Sequence, residues 1–176
     1  MKKLVLGLSV FLAFGLSGCL NSDDGPSYDP VAQLEVDGEK IDLYLEANDI
    51  QAETHDTGIR YVITAEGNGT FPEEGQVVSV DYELYRIGGS LLDTNKEDLA
   101  KEEGIYNSDR DYAPLRFTLG TSQLIPGFQI ATLLLSEEGS GDFYIPSVLA
   151  YRNIGSTSVM PNENLLFKIS LVEVEQ

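Results

Sequence analysis

Few residues in this chain could do covalent or metal chemistry. One cysteine, Cys19, and one histidine, His55, occur in 176 residues, and tryptophan is absent. That pair cannot form a disulfide, a CxxC redox motif or a zinc site of the usual ligand number. A Ser/His/acid triad would need His55, which sits in the polar stretch AETHDTG with no recognisable nucleophile turn beside it. The acidic string from Asp93 to Asp98 has a calcium-loop flavour, but it lacks glycine at its sixth position and glutamate at its twelfth. What remains is non-covalent chemistry in an apolar setting. It is concentrated in Leu119 to Tyr151, LGTSQLIPGFQIATLLLSEEGSGDFYIPSVLAY, where an apolar approach, a proline-opened helix, a strand and a second proline turn lead to the hydroxyl of Tyr151. This stretch reads as the floor and one wall of an apolar pocket.

The elements that must position such a pocket can be read from periodicity. Pro126 opens the main helix near its first position, where a missing N–H costs nothing, and Phe128, Ala131 and Leu135 share a face. Gly139 is the expected cap, which places Glu137 and Glu138 in the last turn. Strands are expected at Gly58 to Ile63, from Val77 to Leu84, at Ser90 to Asp93 after the Gly88-Gly89 turn, at Leu115 to Leu119, at Asp142 to Ile145 and from Leu165 to Glu175. Ile41, Tyr44 and Leu45 predict a short amphipathic helix over Glu39 to Asn48. Asn95 to Asp111 is polar, with a helix-prone patch, and reads as an insertion between strands. The resulting class is α+β, a curved antiparallel sheet wrapped around one main helix, with a short N-terminal helix and a signal and lipidation segment in front.

Residues 1–18 combine Lys2 and Lys3, an apolar run from Leu4 to Leu16 and small residues, the pattern of a secretory signal. The run is short for a membrane span. Leu16-Ser17-Gly18-Cys19 resembles a bacterial lipobox, which implies cleavage before Cys19 and lipidation of that cysteine. Each buried methylene adds about 0.8 kcal/mol of membrane affinity, so two or three chains hold a protein at the membrane without spanning it. Residues 19–30 then read as the lipidated cysteine and a flexible acidic tether, 31–57 as an extension with the short helix, and 58–176 as one globular domain. Leu20 after the cysteine argues against inner-membrane retention and for the outer membrane. Asn21-Ser22-Asp23-Asp24-Gly25 resembles signals that send some lipoproteins to the cell surface.

The formal net charge is -18, and without residues 1–18, which hold two lysines and no acid, it is -20 (9 basic against 29 acidic). Such a balance repels nucleic-acid phosphates and anionic lipid, so no nucleic-acid partner is expected, and the acid excess serves solubility.

The order of motifs from about Gly58 to Glu175 resembles the FKBP-type peptidyl-prolyl cis/trans isomerases, in a lipoprotein form. The matches are Val78-Ser79-Val80-Asp81-Tyr82, Leu92-Asp93-Thr94, Pro114-Leu115-Arg116-Phe117-Thr118-Leu119-Gly120, Leu124-Ile125-Pro126-Gly127-Phe128, Ile145-Pro146-Ser147-Val148-Leu149-Ala150-Tyr151 and Pro161-Asn162-Glu163-Asn164-Leu165-Leu166-Phe167. The resemblance implies a cup for proline-containing segments, with no cofactor or metal. It puts Phe128 at the floor, with Tyr82, Leu92, Leu124, Ile125, Val159 and Phe167 on the walls and Leu115 near the edge. It also implies that Tyr151 donates its hydroxyl to a substrate carbonyl, that the Ile125 N–H makes a second contact, and that Asp93 sits at the rim in polar contact with Tyr82.

The chain departs from the family pattern at several of these positions. Phe128 stands where tryptophan is usual, Leu92 where an aromatic is usual, and Arg152 where a glycine follows the pocket tyrosine. Ser156, Ser158 and Met160 replace more apolar or ring-bearing residues. Two functions follow from the resemblance, an isomerase that assists folding of exported proteins and, as the alternative, a binding or chaperone lipoprotein with weak or no turnover.

Overall fold

The structure, a computed structural model, describes residues 27–121 and 123–175. The expected signal segment, Cys19 and most of the tether lie outside the described residues. The first element is a helix, α1 (Pro30–Ala47). It begins well before the expected Glu39, because Asp29 and Pro30 form a cap rather than the end of a tether. The Asp29 carboxylate accepts from the Val31 N–H (2.9 Å) and the Ala32 N–H (3.3 Å), and proline takes the first helical position. Eighteen residues at about 1.5 Å each give a rod of about 27 Å instead of a short helix.

The strands follow as β1 (Glu53–Thr54), β2 (Arg60–Ala65), β3 (Val77–Arg86), β4 (Leu91–Thr94), β5 (Leu115–Thr118), β6 (Ser140–Ile145) and β7 (Leu165–Val174). They form one antiparallel sheet in the order β1-β2-β6-β7-β3-β4, with β5 also paired to β3. The long partners β3 and β7 are its spine, and their alternation sorts side chains to two faces. Val78, Val80, Tyr82 and Leu84 of β3 join Phe143, Ile145, Leu165, Phe167, Ile169 and Leu171 in the main core. The front face carries the main helix, α3 (Pro126–Leu133), whose Phe128 and Ala131 enter that core. A shorter helix, α2 (Glu97–Glu102), lies in the insertion between β4 and β5.

The back face has its own, smaller core. Tyr144 and Leu166, register partners on β6 and β7, receive Ile41 and Leu45 of α1. The expected α+β class is therefore observed, with one addition: the sheet is covered by a helix on each face.

The main helix ends earlier than expected. Leu134 is its C-terminal cap, and Gly139 does not close it. Glu138 takes the left-handed turn conformation (φ 66°), and a Cβ at Gly139 would lie 2.7 Å from the Ser136 carbonyl oxygen, so the glycine serves close packing. Glu137 thus lies beyond the helix rather than in its last turn. Its carboxylate accepts from the Val174 N–H (2.9 Å) and the Asn68 amide (2.8 Å), which tie the turn to β7 and to the loop after β2 and hold its carboxyl below the usual carboxylate range.

Candidate active site

A cavity of about 240 Å³ opens between the first turn of α3, the loop that precedes it, the middle of β3, and the segment after β6 that carries Tyr151. Tyr82, Leu84, Asp93, Leu115, Gln123, Leu124, Ile125, Phe128, Tyr151 and Phe167 line it. Phe128, only 3 % exposed, is the floor, and its ring sits among three others. Tyr82 meets it edge-on at 5.8 Å and Phe167 at 5.3 Å between centroids, and Phe117 lies tilted against it at 5.7 Å. Edge-to-face contacts of this kind fix ring orientation as well as burying area. The helix can bring Phe128 this deep because residue 127 is glycine. A Cβ there would collide with Ile145 and lie 3.1 Å from the Leu149 carbonyl oxygen.

One wall is a closed polar network. The Tyr82 hydroxyl donates to Asp93 Oδ2 (2.6 Å) and accepts from Arg110 Nη2 (2.8 Å), while Arg110 Nη1 donates to Asp93 Oδ1. Arg110 is further held over the Tyr112 ring at 5.3 Å. Burial, and then the bond to Asp93, push the Tyr82 hydroxyl up to about 12, so it stays neutral. The backbone of Tyr82 is equally fixed. The far edge of β3 is shared by β4 and β5, and the gap between them is filled by the buried side chain of Asn95. Asn95 accepts from the Tyr82 N–H (2.8 Å) and donates to the Val80 carbonyl (2.9 Å), in place of a strand. The Thr94 hydroxyl donates to the Tyr82 carbonyl (2.7 Å).

The facing wall is open. The Tyr151 hydroxyl and the Ile125 N–H both have no protein hydrogen-bond partner among the described residues. The Tyr151 hydroxyl is also raised by burial and then by the Asp93 charge, which keeps it a donor. Tyr151 follows a 3-10 turn, Ser147–Leu149, opened by Pro146. Ile125 is held by Gln129 of α3, whose side chain donates to the Leu124 carbonyl (3.1 Å) and accepts from the Gly120 N–H (2.9 Å). The site thus offers an aromatic floor and two unspent donors.

Of the residues expected at the site, Tyr82, Asp93, Leu115, Leu124, Ile125, Phe128, Tyr151 and Phe167 are brought together around this cavity. Leu92 and Val159 are not among its lining. Leu92 is the extra residue of a β-bulge opposite Leu84 and Tyr85, half-buried against the core, and Val159 is 4 % exposed within that core. Leu84, Gln123 and Arg110 were not expected. Leu84 continues the alternation of Val80 and Tyr82, a signal present in the sequence, whereas nothing local marks Arg110 within a polar insertion. His55 lies elsewhere, its ring bonded to the Thr57 hydroxyl (2.8 Å) in the turn between β1 and β2.

The comparisons with known proteins agree with this geometry. The family model described as FKBP-type peptidyl-prolyl cis-trans isomerase matches residues 68–172. A probable FKBP-type peptidyl-prolyl cis-trans isomerase FkpA of Neisseria meningitidis serogroup B is 35% identical over 146 residues, covering 81% of this chain and 48% of the relative. The outer membrane protein MIP of Legionella longbeachae is 30% identical, covering 68% of this chain and 46% of that protein. The crystal structure of FkpA from Escherichia coli superposes with a TM-score of 0.61 at 26% identity, over 82% of this chain and 64% of that one. The chain spans about half the length of these sequence relatives. With the motifs, the fold and the cavity in agreement with these matches, the chain belongs to the FKBP-type peptidyl-prolyl cis-trans isomerase family.

Proposed function

We propose that this protein catalyses cis/trans rotation about Xaa-Pro bonds in exported polypeptides. The carrying observation is the pair of donors without a partner among the described residues, the Tyr151 hydroxyl and the Ile125 N–H, beside an aromatic floor. The barrier to rotation, about 18 to 20 kcal/mol, comes from amide resonance that places partial charge on oxygen and nitrogen. At the twisted transition state that resonance is lost. A dry apolar cup therefore stabilises the twisted form relative to the planar one, and the chemistry needs no nucleophile.

Each residue has one task in this mechanism. Phe128, with Phe167, Leu124 and Leu115 around it, takes the proline ring and excludes water. Tyr151 and the Ile125 N–H donate to substrate carbonyls and hold the chain on either side of the rotating bond. Tyr82, Asp93 and Arg110 hold the opposite wall rigid, and Asp93 keeps a half-exposed carboxylate at the rim. Leu92 and Val159 support this lining from the core. Phenylalanine at the floor widens the cup relative to tryptophan, which lowers affinity for proline before it removes turnover.

The protein acts outside the cytoplasm, held to the outer membrane by lipid on Cys19, with the tether facing the periplasm or the cell surface. The lipobox-like Leu16 to Cys19, and relatives whose names include an outer membrane protein, support that placement. A Cys19→Ser variant should leave the membrane fraction. Exchange spectroscopy on a Leu-Pro or Phe-Pro peptide tests the activity itself. Micromolar protein should accelerate cis/trans exchange, and unchanged exchange alongside measurable peptide binding would favour the alternative, a binding lipoprotein without turnover.

A further inference from the structure

The helix α1 lies outside the residues matched by the family model, yet it reaches the turn that presents Tyr151. Its Asp37 is fully buried in a chain of net charge -18, and no ion pair among the described residues includes it. Burying a carboxylate is costly unless its oxygens are bonded, so its partners reveal what the burial achieves. The Ser147 hydroxyl donates to Asp37 Oδ2 (2.6 Å), and the Gln33 side chain of the same helix donates to Oδ1 (2.8 Å). Asn164 closes the loop: its amide donates to the Asp37 carbonyl (3.1 Å) and its side-chain oxygen accepts from the Ser147 N–H (3.0 Å). Ser147, also fully buried, opens the 3-10 turn.

The Ser147 carbonyl then accepts from the Ala150 N–H (3.0 Å) and the Arg152 N–H (2.9 Å), the residues on either side of Tyr151. Arg152 adopts a left-handed conformation (φ 54°), one that a non-glycine residue keeps only when neighbours hold it there. Docking of α1 alone does not require this arrangement, since Ile41 and Leu45 already bury the helix against Tyr144 and Leu166.

We propose that α1 is part of the cup, with Asp37 and Ser147 acting as positioning residues that set where Tyr151 presents its hydroxyl. The inference rests on the reading above that this hydroxyl donates to substrate. The extension is then a strut for the open wall, and isomerase activity depends on residues outside the matched domain.

A double-mutant cycle on the full chain tests it. Ser147→Ala and Asp37→Ala should each lower kcat/KM for a Leu-Pro peptide several-fold, by no more than Tyr151→Phe does. Asp37→Asn, which still accepts from Ser147, should restore most of the loss. In a Tyr151→Phe background both losses should vanish, and additive losses there would overturn the proposal by showing a general structural effect. A second measurement stands apart from activity. In a chain labelled with 13C-tyrosine, the Tyr151 ring signal, identified by its absence in Tyr151→Phe, should shift or broaden in Ser147→Ala. An unchanged signal would overturn the positioning role even if the wild type proved active. Conversely, a wild type with no isomerase activity but a displaced Tyr151 signal in Ser147→Ala would refute the isomerase reading and keep the strut.

Discussion

The two walls of the cup are built on opposite terms. On the Tyr82 side, the hydroxyl, the N–H and the carbonyl of one tyrosine are all bonded within the protein, to Asp93, Arg110, Asn95 and Thr94. On the Tyr151 side, the backbone is held from behind by Ser147, while the hydroxyl and the neighbouring Ile125 N–H have no partner among the described residues. A saturated network rigidifies and has nothing left to give a ligand. Two unspent donors on a rigid backing are what a carbonyl-bearing ligand needs. On the proposed isomerase reading, the same residue type serves structure on one side and substrate on the other.

Removing the floor breaks both walls together. Phe128→Ala deletes a buried ring that touches Tyr82 and Phe167, and should cost about 3 to 5 kcal/mol of stability. Calorimetry should show the midpoint falling by on the order of 10 °C, and isomerase activity should be lost. Wild-type activity in Phe128→Ala would remove that ring from the site.

Alkaline pH should act on the closed wall, through Tyr82, and on the back-face core, through Tyr144. Tyr82 and Tyr144, both buried, have hydroxyls pushed up to about 12, chiefly by burial. Their unfolded counterparts ionise near 10. The stabilisation is therefore complete below about pH 10 and declines as pH rises from about 10 towards 12. Denaturant midpoints across that range should fall, and Tyr82→Phe should make the fall shallower. An equally steep fall in that variant would show that Tyr82 is not held as described.

Arg110→Ala opens the closed wall at neutral pH. It strips Asp93 and Tyr82 of their shared donor, at a cost of about 1 to 2 kcal/mol after allowance for partial exposure. The expected signature is a lower midpoint with a larger effect on KM than on kcat, read by steady-state kinetics beside thermal melts.

Much of the closed wall and the sheet was legible in the sequence, because period-2 alternation from Val78 to Leu84 and the Leu165 to Leu171 run admit one buried face. Pro126 and the spacing of Phe128, Ala131 and Leu135 marked a helix with one buried face, and the floor role of Phe128 came only with the family resemblance of the ordered motifs. What was hidden depends either on contacts distant in the chain or on local chemistry that a polar composition masks. Asp37 looks like a surface acid until Ser147, far along the sequence, is placed against it. Asp29 and Pro30 follow a polar stretch, and their composition masked a helix cap. Arg110 sits among polar residues of an insertion whose fold no periodicity fixes. Leu92 left the expected lining because a bulge, invisible in the residue types, shifts the register of β4 against β3.

The direct test of the contrast between the walls is Tyr151→Phe, measured by kcat/KM for a Leu-Pro peptide together with a thermal melt. Because the hydroxyl has no hydrogen-bond partner among the described residues, its removal should leave the melting midpoint unchanged and lower kcat/KM by one hydrogen bond, about 0.5 to 1.5 kcal/mol or roughly 2- to 12-fold. An unaltered kcat/KM, or a drop accompanied by an equal loss of stability, would contradict the assignment of the open wall to substrate.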